Sequence, residues 1–204
     1  MMDPAADASA SAIAFGFASG RHRAALSAAW AFDRAVGMAA LGAREPMMVQ
    51  LRLAWWRSAV TEGGHAWARD PELALLTTLP ARELALLERV VDAWETLLLR
   101  DDGAALLDHA DARGNALFGL AAGRLGGGDA SSGLAGGWAL ASLAARSGGQ
   151  RRERARNLAA SRLSASERGL AKPLRVLIRI ARADIRRPEG VARSRRTVLR
   201  AVLG

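Results

Sequence analysis

The 204 residues carry 29 Lys and Arg against 20 Asp and Glu, a net charge of +9, with six Trp and neither Tyr nor Cys. That length supports one substantial core, and the absence of Cys excludes disulfides and thiolate metal sites, which fits a reducing, cytoplasmic setting. No run alternates apolar and polar residues with enough β-branching to make a strand, so the expected class is all-α in a single domain.

Residues 1–10 are rich in Ala, Ser and Asp and are expected to be disordered, which leaves 11–204 as the helical domain. The first twenty residues lack the positive n-region of a secretory signal, and Asp3 and Asp7 argue against a transit peptide, so no translocation is expected. Ile13 to Phe17 is a short apolar stretch before the Ser19-Gly20 turn. From Arg21 to Leu41, helical spacing places Leu26, Trp30 (or Ala29), Arg34 (or Asp33), Gly37 and Leu41 on one face. The ends of that face are apolar and its middle is charged.

Pro46 suits the first turn of a second long helix, which runs to about Val60. Met47, Leu51, Ala54 or Trp55, and Ser58 or Ala59 recur along it at three- and four-residue spacing and are expected to form its core face. Arg52 and Trp56 lie four apart on the opposite flank, where a guanidinium can stack over an indole. Gly63-Gly64 closes the helix, and His65–Pro80 is a loop with one helical turn from Pro71. Leu84, Leu87, Val91, Trp94 (or Glu95) and Leu98 make Ala81–Leu99 an amphipathic helix, and Leu106, Ala110, Leu117 and Leu120 do the same for Ala104–Leu125. Gly126-Gly127-Gly128 ends the latter.

Leu134–Ala145 is apolar on nearly all sides and is expected to be a central, buried helix. The longest uncharged run, Ala130–Ala145, falls short of the roughly 18 apolar residues that a membrane span needs. Arg151–Leu163 reads as a basic helix. Pro173 opens another, with Leu174, Leu177, Ile178 and Ala181 inward, Pro188 stops it, and Val191–Leu203 adds a short last helix.

Charge is unevenly placed. Residues 146–204 carry a net +13 and the rest of the chain −4. Such a basic third suits an anionic membrane surface, an acidic protein or nucleic acid. It contains no Phe, Trp or Tyr, so it offers no stacking platform for bases, and no specific nucleic acid is expected as a partner. Asp108, His109 and Asp111 are the nearest approach to a metal-ligand cluster, but they supply one helix's worth of ligands where a site needs several that converge. His22 and His65 are isolated. No Gly-x-Ser-x-Gly elbow or phosphate loop is present. No catalytic or metal-binding residue is therefore assigned.

The run Gln50-Leu51-Arg52-Leu53-Ala54-Trp55-Trp56-Arg57, preceded by Ala31-Phe32-Asp33-Arg34, resembles the squalene/phytoene synthase family. The resemblance implies an isoprenoid-synthase-like helical bundle around an apolar cavity. It further implies a reaction in which Mg²⁺ ions, held by two Asp-rich clusters, ionise a prenyl diphosphate. The first cluster falls on Gly37, Met38 and Leu41. The second falls after Arg146, which matches the family Arg, but Ser147, Gly148, Gly149 and Gln150 follow it. None of these positions holds a carboxylate.

The expectation is thus a squalene/phytoene synthase-like protein without transferase activity and without a cofactor. It would act as a lipid- or prenyl-binding protein or as an accessory factor, since family members lacking the clusters resemble assembly factors of respiratory complex I. Arg23, Arg34, Arg52, Arg57 and Arg146 are the residual candidates for holding a diphosphate. Residues 146–204 would dock on the inner face of a membrane. The alternative is an active prenyltransferase of isoprenoid biosynthesis, which would need Mg²⁺.

Overall fold

The computed structural model describes residues 4–42, 45–62, 70, 73–100, 102–127, 132–187 and 198, 200, 202 and 203. The described residues are all-α. The order is α1 (Pro4–Phe15), α2 (Gly20–Gly42), α3 (Pro46–Thr61), a 3₁₀ turn at Ala74–Thr78, α4 (Ala81–Leu99), α5 (Gly103–Leu125), α6 (Ser132–Arg146), α7 (Gly149–Arg162) and α8 (Lys172–Arg186). Gly63-Gly64, His65 and most of the helix expected over 191–203 lie outside the described residues. Among the described residues, no helix is long and apolar enough to cross a membrane.

Helix ends follow local chemistry. The Asp102 carboxylate caps α5 by accepting from the Ala105 N–H at 2.7 Å. Gly126, at φ 71°, takes the left-handed conformation that ends the same helix and donates its N–H to the Ala122 carbonyl. Where composition predicts disorder over residues 1–10, the chain from Pro4 onward is helical. Pro4 suits a first helical turn, the Ala-rich sequence favours helix, and burial of Ala10, Ala14 and Phe15 in the core secures it.

Helices α4, α5, α6 and α7 pack side by side in sequence order, while α2 lies across α4 and α5 and α8 closes against α1 and α6. The α5–α6 contact is close because Gly114 faces the α6 backbone. A Cβ there would overlap the Ala135 carbonyl group, which no side-chain rotation relieves. As its composition predicts, α6 is central, with Leu134, Ala135, Trp138, Leu140 and Leu143 all buried. Phe15, Trp30, Phe118 and Trp138 form an aromatic cluster, with centroids 4.8 Å apart for Phe15–Trp30 and 5.5 Å for Phe118–Trp138.

Helix α3 is turned relative to its expected orientation. Val49, Leu53, Ala59 and Val60 are buried, whereas Met47 is 71%, Leu51 58% and Trp55 51% exposed. The helix bears apolar side chains on two flanks, so periodicity alone does not choose between them. The partners choose: Trp56 packs edge-on against Phe32 of α2 at 5.4 Å, and Arg57 reaches Asp92 at 2.5 Å and Glu95 at 2.7 Å on α4. Those contacts fix the rotation and leave Met47, Leu51 and Trp55 outside.

Candidate functional site

The inward charge of α2 is Asp33. Leu26, Trp30, Asp33, Val36 and Gly37 lie on the buried side of the helix, while Arg34 sits at its margin, 3.4 Å from the Ser11 hydroxyl. A carboxylate with no exposure would be strongly disfavoured without partners. Asp33 has four donors. Arg113 of α5 approaches as a fork, its Nε–H donating to Oδ1 and its Nη2–H to Oδ2, each at 2.6 Å. The Trp94 Nε1–H of α4 donates to Oδ1 at 3.0 Å, and Arg146 at the end of α6 donates to Oδ2 at 3.4 Å.

Arg113 is itself fully buried and is held from all sides. It donates to the Ala139 carbonyl at 3.1 Å and to the Ser142 hydroxyl at 3.0 Å, both on α6. Its guanidinium lies 4.9 Å from the ring centroids of both Trp94 and Trp138. Burial by itself would raise the Asp33 carboxyl, but the charge and hydrogen bonds of Arg113, with Arg146 and Trp94, outweigh it and hold Asp33 well below the usual carboxylate range. It is an ionised acid locked between two guanidiniums.

His109, one turn before Arg113 on α5, is buried against Trp94 with ring centroids 4.6 Å apart. Its Nδ1–H donates to the Ala93 carbonyl at 2.8 Å, and its Nε2 has no hydrogen-bond partner among the described residues. Burial disfavours the imidazolium, and the positive charge of Arg113 adds to that. Together they outweigh the Ala93 bond and lower the histidine to about 3. His109 is neutral at physiological pH.

One of the three positions that the resemblance would assign to a first Asp-rich cluster bears on this centre. Gly37 is buried against it: a Cβ there would sit 2.6 Å from an Arg146 Nη1 and 2.7 Å from the Trp94 ring. Met38 is 53% exposed and points away. Gly37 on α2 thus faces the Arg146 side chain of α6 and the Trp94 ring of α4. The donor set does not fit Mg²⁺. The one carboxylate present, Asp33, has both oxygens engaged by guanidinium and indole donors, and a divalent cation would meet two fixed positive charges. Among the described residues, no three His, Asp or Glu converge as metal ligands. In particular Asp108 pairs with Arg100 at 3.2 Å, Asp111 pairs with Arg162, and His109 points inward.

The five arginines suggested by the resemblance are dispersed. Arg23 donates to the Phe15, Gly16 and Ala18 carbonyls at 3.1, 2.9 and 3.1 Å, tying off the end of α1. Arg34 reaches Ser11, Arg57 is held by α4, and Arg52 is exposed on α3. Only Arg146 belongs to the buried centre. Of the residues that build it, Asp33 and Trp94 lie on faces that the spacing already marks, and His109, Arg113 and Ser142 were detectable as polar positions inside otherwise apolar helical stripes: Arg113 falls between Ala110 and Leu117, where α5 should be apolar. Comparison of the chain with known protein families, curated proteins and solved structures gives no match, so the reading of this centre rests on its own residues.

Proposed function

We propose that this chain is a non-catalytic accessory protein on a scaffold resembling the squalene/phytoene synthases. The carrying observation is the Asp33–Arg113–Arg146 cluster. Where ionisation of a prenyl diphosphate would require carboxylates free to bridge Mg²⁺, the acid of this buried centre, Asp33, is committed to two arginines. Gly37 also leaves no room for an added acid, since Trp94 and Arg146 occupy the space beside it. The apolar stripe Met47, Leu51 and Trp55, exposed on α3, favours a docking role over an interior ligand. The alternative, an active prenyltransferase, draws support only from the resemblance.

Isothermal calorimetry with a non-hydrolysable farnesyl diphosphate analogue, with and without Mg²⁺, tests the proposal. The expected result is no Mg²⁺-dependent heat. Tight binding that appears only with Mg²⁺ would restore the transferase reading.

A further inference from the structure

Helix α8 carries Lys172, Arg175, Arg179, Arg182 and Arg186 at alternating three- and four-residue spacing. That places them in one row, opposite buried Leu174, Leu177, Ile178 and Ala181, over roughly 21 Å of helix. Beside the row, the turn after α7 forms the other wall of a groove of about 710 Å³, lined by Glu167, Arg168, Arg175, Arg179, Arg182 and Arg186.

Two of these arginines are pre-set. Glu167 accepts from Arg179 at 2.9 Å and pairs with Arg182, which also donates to the Leu163 and Ala165 carbonyls at 2.6 and 2.7 Å. The side chains of Arg168, Arg175 and Arg186 are exposed and make no ion pair or hydrogen bond among the described residues. One carboxylate therefore faces five guanidiniums, and three donor forks remain available for anions.

Apolar side chains flank one end of the row. A smaller hollow of about 230 Å³ shares Arg175 and Arg179 and is walled by Val176, Val202 and Leu203, the last 81% exposed. At the same end, Lys172 also lines this hollow, and its ammonium lies 4.2 Å from the ring centroid of Phe17, itself 40% exposed. Cations in a row with exposed apolar groups at one end match the headgroup boundary of a bilayer. A groove for single-stranded nucleic acid would instead carry stacking rings along the row, and residues 146–204 contain none.

We infer that this groove receives the phosphates of anionic lipid headgroups and seats the protein on a membrane surface along α8. The inference rests on the accessory-protein reading and gives it a location.

The test is co-sedimentation of the full chain with vesicles of phosphatidylcholine alone or of phosphatidylcholine and phosphatidylglycerol in equal parts. Binding is expected only to the mixture. The triple variant Arg168→Gln/Arg175→Gln/Arg186→Gln should lower the partition coefficient roughly a hundredfold, as expected for three cations at an anionic surface. The triple Arg82→Gln/Arg89→Gln/Arg100→Gln removes the same charge from exposed sites elsewhere, and should stay within about threefold of the parent. Equal losses in the two triples, no binding to the mixture, or displacement from vesicles by single-stranded RNA would each overturn the inference. None of these outcomes bears on the calorimetry above, and Mg²⁺-dependent diphosphate binding would leave the vesicle result standing.

Discussion

Asp33→Asn is expected to destabilise the protein by about 3–5 kcal/mol, the usual cost of leaving one buried charge without its partner. The amide keeps the shape of the carboxylate, so packing against Trp94 is unchanged. What is lost is the negative charge that offsets the fully buried Arg113 guanidinium and the nearby Arg146. Arg113→Met should cost about as much in the other direction, by stranding Asp33. The two losses should not add. In Asp33→Asn/Arg113→Met neither buried charge of the pair remains, and the double variant should be no less stable than the worse single variant. Urea denaturation of the four proteins measures this, and additive losses would show that the pair does not act as a unit.

A second large effect is expected with pH. His109 is lowered to about 3 in the folded protein by burial and by Arg113, against an ordinary histidine value of about 6.5. A depressed folded value means that the unfolded chain takes up the proton first as pH falls. The contribution is complete above about 6.5 and is lost below it, at up to about 1.4 kcal/mol per pH unit, or about 3 kcal/mol by pH 4.5. Asp33 has the same sign but acts lower, because its stabilisation declines only below the unfolded carboxylate value near 4. His109→Asn keeps an N–H at the position of Nδ1 for the Ala93 carbonyl and does not titrate. Denaturation at pH 6.5 and 4.5 should show a much shallower acid loss in this variant than in the parent. An unchanged slope would assign the loss to other groups.

The helices were largely legible in the sequence, because their limits are set by local chemistry. Pro46 and Pro173 open two of them, and Gly126 closes α5. The bounds of α4 match its apolar spacing residue for residue. Orientation was less legible. On α3 two apolar flanks compete, and the winner is fixed by Phe32, Asp92 and Glu95, which are distant in sequence. On α2, spacing allowed either Asp33 or Arg34 to face inward, and only the position of Arg113, eighty residues on, selects Asp33.

The centre was hidden for a related reason. Reading α5 for its apolar residues registers Leu106, Ala110, Leu117 and Leu120 and passes over the arginine that interrupts them. Opposite charges on the inward stripes of two helices are the signal of a buried pair. The arginines suggested by resemblance were dispersed because most have local duties, such as Arg23 at the end of α1 and Arg57 between α3 and α4.

On the proposed reading the interior carboxylate is structural and does no diphosphate chemistry. Diphosphate release from farnesyl or geranylgeranyl diphosphate in the presence of Mg²⁺ measures this. No release above the protein-free control is expected. Saturable, Mg²⁺-dependent release from the parent protein, abolished in a folded Asp33→Asn variant, would contradict that reading.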